Sequence, residues 1–458
     1  MSDYRDMQSD ARADDGVSPV GRNRQRKIRL AVAGALAVVL SAGAFATVSL
    51  RPGDPTAAAP DIVQGGVVPA PPAADSAGTA SAAEARAAAD TTTADTMGTA
   101  TAVIPDGTIR NPDGAAPGRP GERVIPVATP EVVRGLYLNA WAAGSTRKLD
   151  RLIGIANETE VNTFVIDVKE GGEVSYRSTV PLVNEVGSAR THISDMRAVL
   201  RKLKENGIYP IARIVCFRDE VLANAKPQWA IQKEDGSVWR DRDDHAWVDS
   251  FNREVWDYNI AIAREAIEMG FAEIQWDYVR FPDVPPSLMK TAVFPARNGR
   301  TKADAIREFL LYSREQLASY DVPVTADVFG LTVSVKNDLG IGQQWEKMSD
   351  ATDVLLPMVY PSHFAKGSYG IASPNANPYD IVNKAMEYAV KRNAGIEGGA
   401  KIRPWLQDFT LGAPKYGAEQ VRAQMQGAYD AGVKEWVLWN PGSNYTASAL
   451  EPSGSVVQ

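Results

Sequence analysis

Cysteine is almost absent: Cys216 is the only one in 458 residues. A lone thiol excludes an intramolecular disulfide and any thiolate-based zinc cluster. Cys216 lies in the apolar run Ile211-Ala212-Arg213-Ile214-Val215-Cys216-Phe217, where a buried, inert thiol is the expected state. Histidine is nearly as scarce. His192, His245 and His363 are far apart, so there is no HExxH pair and no histidine-rich metal site is expected. Basic charge is in deficit, with Lys+Arg 49 against Asp+Glu 56 and a net charge of −7. Without a long basic run the chain lacks the electrostatic footprint of a nucleic-acid binder. No nucleic-acid partner, metal or redox cofactor is therefore expected.

Aromatic residues are missing from a long stretch. Residues 51–130 contain no Phe, Trp or Tyr, and just over half of them are Ala, Pro or Gly. Such a segment buries too little apolar surface to offset its ordering entropy, so a disordered linker is expected there. Ahead of it, Arg22, Arg24, Arg26, Lys27 and Arg29 end a polar, basic tail over 1–29. An uncharged stretch follows from Leu30 to Leu50 and closes at Arg51. As a helix it would be about 30 Å long, enough to cross a bilayer. The positive flank would stay cytoplasmic and place everything after Arg51 outside. The expectation is a retained single-pass anchor; the alternative is a secreted protein cleaved near Ala46, because Ala44-Phe45-Ala46 fits a signal peptidase site.

All ten tryptophans fall at or beyond Trp141, so the folded unit is expected over 131–445, with a C-terminal tail over 446–458. Eight short apolar runs recur there: Val133–Leu138, Thr163–Val168, Tyr209–Val215, Glu273–Val279, Pro323–Phe329, Val354–Tyr360, Ile402–Leu406 and Glu435–Trp439. Amphipathic stretches separate them, among them Thr146–Glu158, Val255–Met269 and Ala418–Ala431. Runs apolar on both faces indicate parallel strands covered by helices. Eight βα units point to an α/β fold of the (β/α)₈ TIM-barrel class. The competing doubly wound sheet would carry a glycine-rich turn after its first strand, where Tyr137-Leu138-Asn139-Ala140-Trp141 stands instead. The longest connections, 218–253 and 282–302, follow the third and fourth strands on the face where barrel active sites lie.

Polar residues at the C-terminal ends of the strands are then the candidates. Asp277 and Asp327 end the fourth and fifth strands and are the expected catalytic pair. Glycoside cleavage needs one carboxylic acid to protonate the leaving oxygen and a second carboxylate to attack or to activate water. Asp277 sits inside an apolar strand, where an unpaired charge is costly. Gln275, Tyr278 and Arg280 would orient or tune it, a neighbouring guanidinium favouring the ionised form. Asp327, in a drier setting beside Val328 and Phe329, would be the acid; the roles reversed, or Asp408 or Glu170 as acid, remain open. Asp167, Lys169, Gln275, Tyr278, Arg280, Tyr360, His363, Trp405, Asp408 and Trp439 are expected to bind substrate, aromatic faces stacking on sugar rings. The bland alternatives are real: Trp276, Trp405 and Trp439 could fill the core, Lys169 could pair with Asp167, and His363 could be a rim hydrogen-bonding residue. In the insertion 227–240, Asp235-Gly236 has the look of a hairpin turn, and Asp241-Arg242-Asp243-Asp244 is a weak calcium motif.

From about Val133 to Asn440 the chain resembles a bacterial domain family of unknown function expected to form glycoside hydrolase TIM barrels. The resemblance rests on Arg134-Gly135-Leu136-Tyr137, Phe164-Val165-Ile166-Asp167-Val168-Lys169, Gln275-Trp276-Asp277-Tyr278-Val279-Arg280-Phe281-Pro282, Ala326-Asp327-Val328-Phe329-Gly330, Leu356-Pro357-Met358-Val359-Tyr360-Pro361-Ser362 and Arg403-Pro404-Trp405-Leu406-Gln407-Asp408. The fourth-strand block is the most specific and also looks like that of related barrel hydrolases, which implies a catalytic carboxylate at Asp277. What this implies is a hydrolase of an extracytoplasmic polysaccharide; a non-catalytic glycan-binding barrel, or a transferase or lyase, is the alternative.

Overall fold

The structure is a computed structural model that describes residues 126–455. The basic tail, the expected anchor over 30–50 and nearly all of the linker lie outside the described residues. Among the described residues no helix is long and apolar enough to cross a membrane.

Eight parallel strands close into a barrel: β1 (Arg134–Leu138), β2 (Thr163–Glu170), β3 (Tyr209–Val215), β4 (Glu273–Asp277), β5 (Val324–Phe329), β6 (Val354–Val359), β7 (Lys401–Ile402, then Trp405–Gln407) and β8 (Trp436–Trp439). Closure is made by β1, whose Leu136 registers with Leu438 of β8 on one side and Phe164 of β2 on the other. The helices that cover the outside include α1 (Thr146–Glu158), α2 (Met196–Glu205), α3 (Arg253–Met269), α4 (Lys302–Leu317), α5 (Trp345–Ser349), α6 (Pro378–Asn393) and α7 (Ala418–Asp430). α3 shows how they are delimited. Asn252 accepts the Glu254 N–H at 2.8 Å to cap its start, and Gly270, at φ +125°, ends it.

Side chains alternate across each strand. The larger apolar cluster, with Phe164, Ile166, Ile214, Ile274 and Val328, lies between strands and helices. A smaller one, with Tyr137, Val165, Ile211, Leu356, Trp405, Val437 and Trp439, fills the barrel. At the N-terminal end of the strands a buried ionic network closes the interior. Arg403 donates to Glu273 and to Glu435, each at 2.7 Å, and Thr325 donates to Glu273 at 3.1 Å.

Three local differences from the sequence expectation have physical causes. β7 is broken at Pro404, which has no N–H to give to the ladder. β4 stops at Asp277 because Tyr278 turns to φ +48°. The segment after β8 is packed as far as Glu451 in the place of an eighth barrel helix: Ala449 and Leu450 are buried, and Glu451 exchanges backbone and side-chain hydrogen bonds with Glu160.

Candidate active site

The centre of the upper barrel is an ionic cluster built on one guanidinium. Arg213 points inward from β3, 1% exposed, and donates to Asp277 Oδ2 through Nη2 (2.5 Å) and Nε (3.0 Å). Its Nη1 donates to Asp167 at 2.6 Å and to Glu170 at 2.7 Å. The rings of Tyr137 and Trp439 face the same guanidinium, 5.7 and 5.4 Å from its carbon. Arg218 also donates to Glu170, at 3.1 Å. Burial pushes Glu170 up, but Arg213 and Arg218 outweigh it and hold the carboxyl below its ordinary value. For Asp167 burial wins: its carboxyl is raised to about 7 despite Arg213 and the 2.5 Å hydrogen bond from Tyr137.

Asp327 sits in the opposite kind of environment. It is 1% exposed, has no cation bound to it, and accepts from Trp405 Nε1 at 2.7 Å and from Gln275 Nε2 at 2.8 and 3.0 Å. Burial, reinforced by the charge of Asp277, lifts its pKa well above the ordinary carboxylate value. Trp405 and Gln275 converge on Oδ1, which leaves Oδ2, with its longer contact, as the oxygen to carry a proton.

Both aspartates line one cavity of about 520 Å³ at the C-terminal ends of β4 to β8. Of the residues expected to bind substrate, Tyr278, Arg280, Tyr360, His363, Trp405 and Trp439 line it as well. Gln275 stands behind Asp327 as its donor. Arg280 is buried among the rings of Trp247, Tyr278 and Phe329 and donates to the Phe281 carbonyl; the cation that binds Asp277 directly is Arg213. Asp167 lies beside Arg213 and does not reach the cavity wall.

Two expected substrate contacts are placed elsewhere. Lys169 is fully buried against Asp219 (2.7 Å), Asn259 (2.8 Å) and the Val215 carbonyl (2.9 Å), away from the cavity wall and paired with Asp219 in place of Asp167. A register shift between Asp167 and Lys169 sends this side chain out of the barrel interior. Asp408 is occupied by Thr446, whose N–H and hydroxyl donate to its two oxygens at 2.8 and 2.7 Å, and it fastens the segment after β8.

The insertion after β3 forms its hairpin, with Lys233 N–H donating to Ser237 O at 2.8 Å and Gly236 at φ +81°. Asp241 spends its oxygens on the N–H groups of Asp243 and His245 and on the Trp247 indole, making a turn. Among the described residues no cluster of His, Cys, Asp and Glu could hold a metal ion. Cys216 is fully buried and burial pushes its thiol up.

Arg213, which holds the cluster together, was not among the expected site residues. Its signal was the one that drew attention to Asp277, a charge in the middle of a buried apolar strand. Tyr137, Asp283 and Phe329 also belong to the cluster or the cavity wall and carried no such signal.

A solved hypothetical protein from Ruminiclostridium thermocellum is 39% identical over 45% of this chain and 98% of that one, with a TM-score of 0.39. The PgaB (BpsB) glycoside hydrolase domain from Bordetella bronchiseptica is 13% identical, with a TM-score of 0.51 over 69% of this chain and 95% of that one, a likeness of fold. A variant of the PelA glycoside hydrolase domain from Pseudomonas aeruginosa matches at 12% identity, covering 69% and 97% of the two chains with a TM-score of 0.40. No curated protein matches the sequence. A family model spans residues 135–445, the whole barrel, and by that match the chain belongs to the family described as "Putative glycosyl hydrolase domain".

Proposed function

We propose that the protein hydrolyses an extracytoplasmic polysaccharide with Asp327 as general acid and Asp277 as the second carboxylate. The observation that carries this reading is the pair itself. Two carboxylates end adjacent strands in one cavity, one ion-paired to Arg213 and the other pushed towards its protonated form by burial. Opposite environments of this kind divide acid and base roles between chemically identical groups. Asp327 gives its proton to the glycosidic oxygen as the C–O bond breaks, while Asp277 attacks the anomeric carbon or takes a proton from the water that does. Trp405, Trp439 and Tyr360 supply aromatic faces for the sugar ring. The apolar stretch 30–50 would tether the enzyme to the cell membrane with the barrel outside.

The test is incubation of the protein with a panel of bacterial and plant polysaccharides, scored for new reducing ends. Asp277→Asn and Asp327→Asn should each lower turnover by about 10²–10⁴-fold. Wild-type turnover in both variants would sink the assignment. A second reading, a glycan-binding barrel without chemistry, draws on the engagement of both Asp277 oxygens, by Arg213 and by the Tyr278 N–H (2.5 Å). Glycan retention without product, equal in wild type and variants, is its signature. Products without new reducing ends would indicate a transferase, and new reducing ends matched by an unsaturated sugar at the other fragment's end would indicate a lyase.

A further inference from the structure

One tryptophan contradicts the pattern of the other nine. Trp141 is 62% exposed, whereas Trp239, Trp247, Trp256, Trp276, Trp345, Trp405, Trp436 and Trp439 are buried and Trp229 is partly buried. An exposed indole offers an apolar face with a polar N–H edge, the residue type suited to stacking on a ligand. It is also held rigidly. Trp141 stands on the short helix Ala140–Gly144 just past the C-terminal end of β1, on the same face as the cavity. Asn139 caps that helix by accepting the Ala142 N–H at 2.8 Å and ties it to the loop after β8, donating to the Pro441 carbonyl at 2.9 Å. Gly144 lets the chain of His192 approach so closely that a β-carbon there would lie 2.1 Å from the His192 carbonyl oxygen. The His192 ring lies against the indole, tilted at 45° with the ring centroids 4.2 Å apart.

The fringe of this platform is polar. His192 Nε2 lies 3.6 Å from Glu173, which Arg190 contacts at 3.0 Å, and these side chains are partly exposed. A flat aromatic face edged by hydrogen-bonding groups suits a pyranose ring, whose faces are apolar and whose rim is hydroxylated. β1 is the neighbour of β8, whose Trp439 lines the cavity and stacks on Tyr137 at 3.9 Å. The loop that carries Trp141 is therefore next to the one that follows the cavity-lining end of β8.

We infer that Trp141, backed by His192, is a distal sugar-binding platform that holds a polysaccharide chain extending out of the cavity. This rests on the hydrolase reading and adds to it a preference for long substrates. The experiment uses chito-, cello- and manno-oligosaccharides, each as disaccharide and hexasaccharide, with wild type, Trp141→Ala and Trp141→Tyr. For the series that is cleaved, Trp141→Ala should raise the hexasaccharide KM at least tenfold with kcat and disaccharide turnover unchanged, and Trp141→Tyr should restore most of the loss. Iodide quenching gives a readout independent of turnover. Iodide should reach mainly Trp141, so quenching should fall in Trp141→Ala and fall in wild type on adding hexasaccharide in the Asp277→Asn background. A wild-type KM in Trp141→Ala, with hexasaccharide leaving iodide access unchanged, overturns the platform and leaves the hydrolase intact. Neither cleavage nor binding in any of the three series overturns the long-chain inference and counts against the hydrolase as well.

Discussion

Replacing Arg213 by Met tests whether the charges in the upper barrel are arranged as described. The substitution keeps a long side chain of similar reach and removes the cation that contacts both Asp167 and Asp277. In the native cluster three carboxylates, Asp167, Glu170 and Asp277, face two guanidiniums, those of Arg213 and Arg218. Without Arg213 the cluster keeps the guanidinium of Arg218, which contacts Glu170 and lies over the Tyr278 ring. Breaking a buried pair by removing one partner costs about 3–5 kcal/mol, mostly from the charge left unpaired. For a domain of this size that corresponds to a fall in Tm on the order of 10 °C. The pH dependence has a defined sign. Unpaired carboxylates have raised folded pKa values, so the folded state binds more protons than the unfolded one and stability falls as pH rises. The deficit of Arg213→Met should therefore be larger at pH 8 than at pH 5, measured by thermal or denaturant unfolding of wild type and variant at both. Adding Asp167→Asn removes one of the stranded charges and should recover part of the loss, a coupling that the double-mutant cycle reads directly. A variant within about 0.5 kcal/mol of wild type at both pH values would show that the cluster is solvated and that its charges do not depend on Arg213.

Asp167 alone gives a second linkage prediction: its carboxyl is raised from 3.8 to about 7, so it contributes a loss of stability as pH rises from about 4 to 7, flat above. Asp167→Asn should abolish that slope in unfolding experiments across the window; its one carbonyl oxygen still accepts from Arg213, while its NH2 can donate to the Tyr137 hydroxyl. Trp405→Phe removes the indole donor to Asp327, a contact that opposes the upward push of burial and of Asp277. Its pKa should rise further, and the alkaline limb of the pH–kcat profile should move to higher pH with the acidic limb unchanged.

Much of the barrel was legible because a parallel strand buried on both faces has to be written in apolar residues. Ile211–Val215 and Leu355-Leu356 read as strands for that reason, and they are strands. Asp277 and Asp327 stood out against such runs and both line the cavity. Lys169 stood out equally and is misleading, because the register shift beside it turns a residue two positions from Asp167 away from the interior. Periodicity of two assumes an unbroken ladder, and no local signal in Asp167-Val168-Lys169 marks the break. Trp405 was ambiguous for another reason. Its indole N–H binds Asp327 while its ring packs against Trp439 at 5.4 Å, so it is core and site at once.

The two ends of the barrel interior hold ionic networks that differ in purpose. At the lower end Arg403 faces Glu273 and Glu435, and the guanidinium lies away from the cavity. At the upper end Arg213 answers to three carboxylates, one of which opens onto the cavity, and Asp327 is left to hydrogen bonds alone. An arrangement built only for stability would give Asp327 a cation, since an Arg for Gln275 on the adjacent strand would provide one. Gln275 instead presents a neutral amide that holds the carboxyl in place without forcing it to ionise, and its own Oε1 finds no partner among the described residues. On the proposed hydrolase reading, that choice keeps a proton available beside an ion-paired carboxylate. The same residue explains why the pair could be suspected from Gln275-Trp276-Asp277 and why its division of labour could not. The carboxylates are named in the sequence, but which of them receives the guanidinium depends on how β3, β4 and β5 are set side by side.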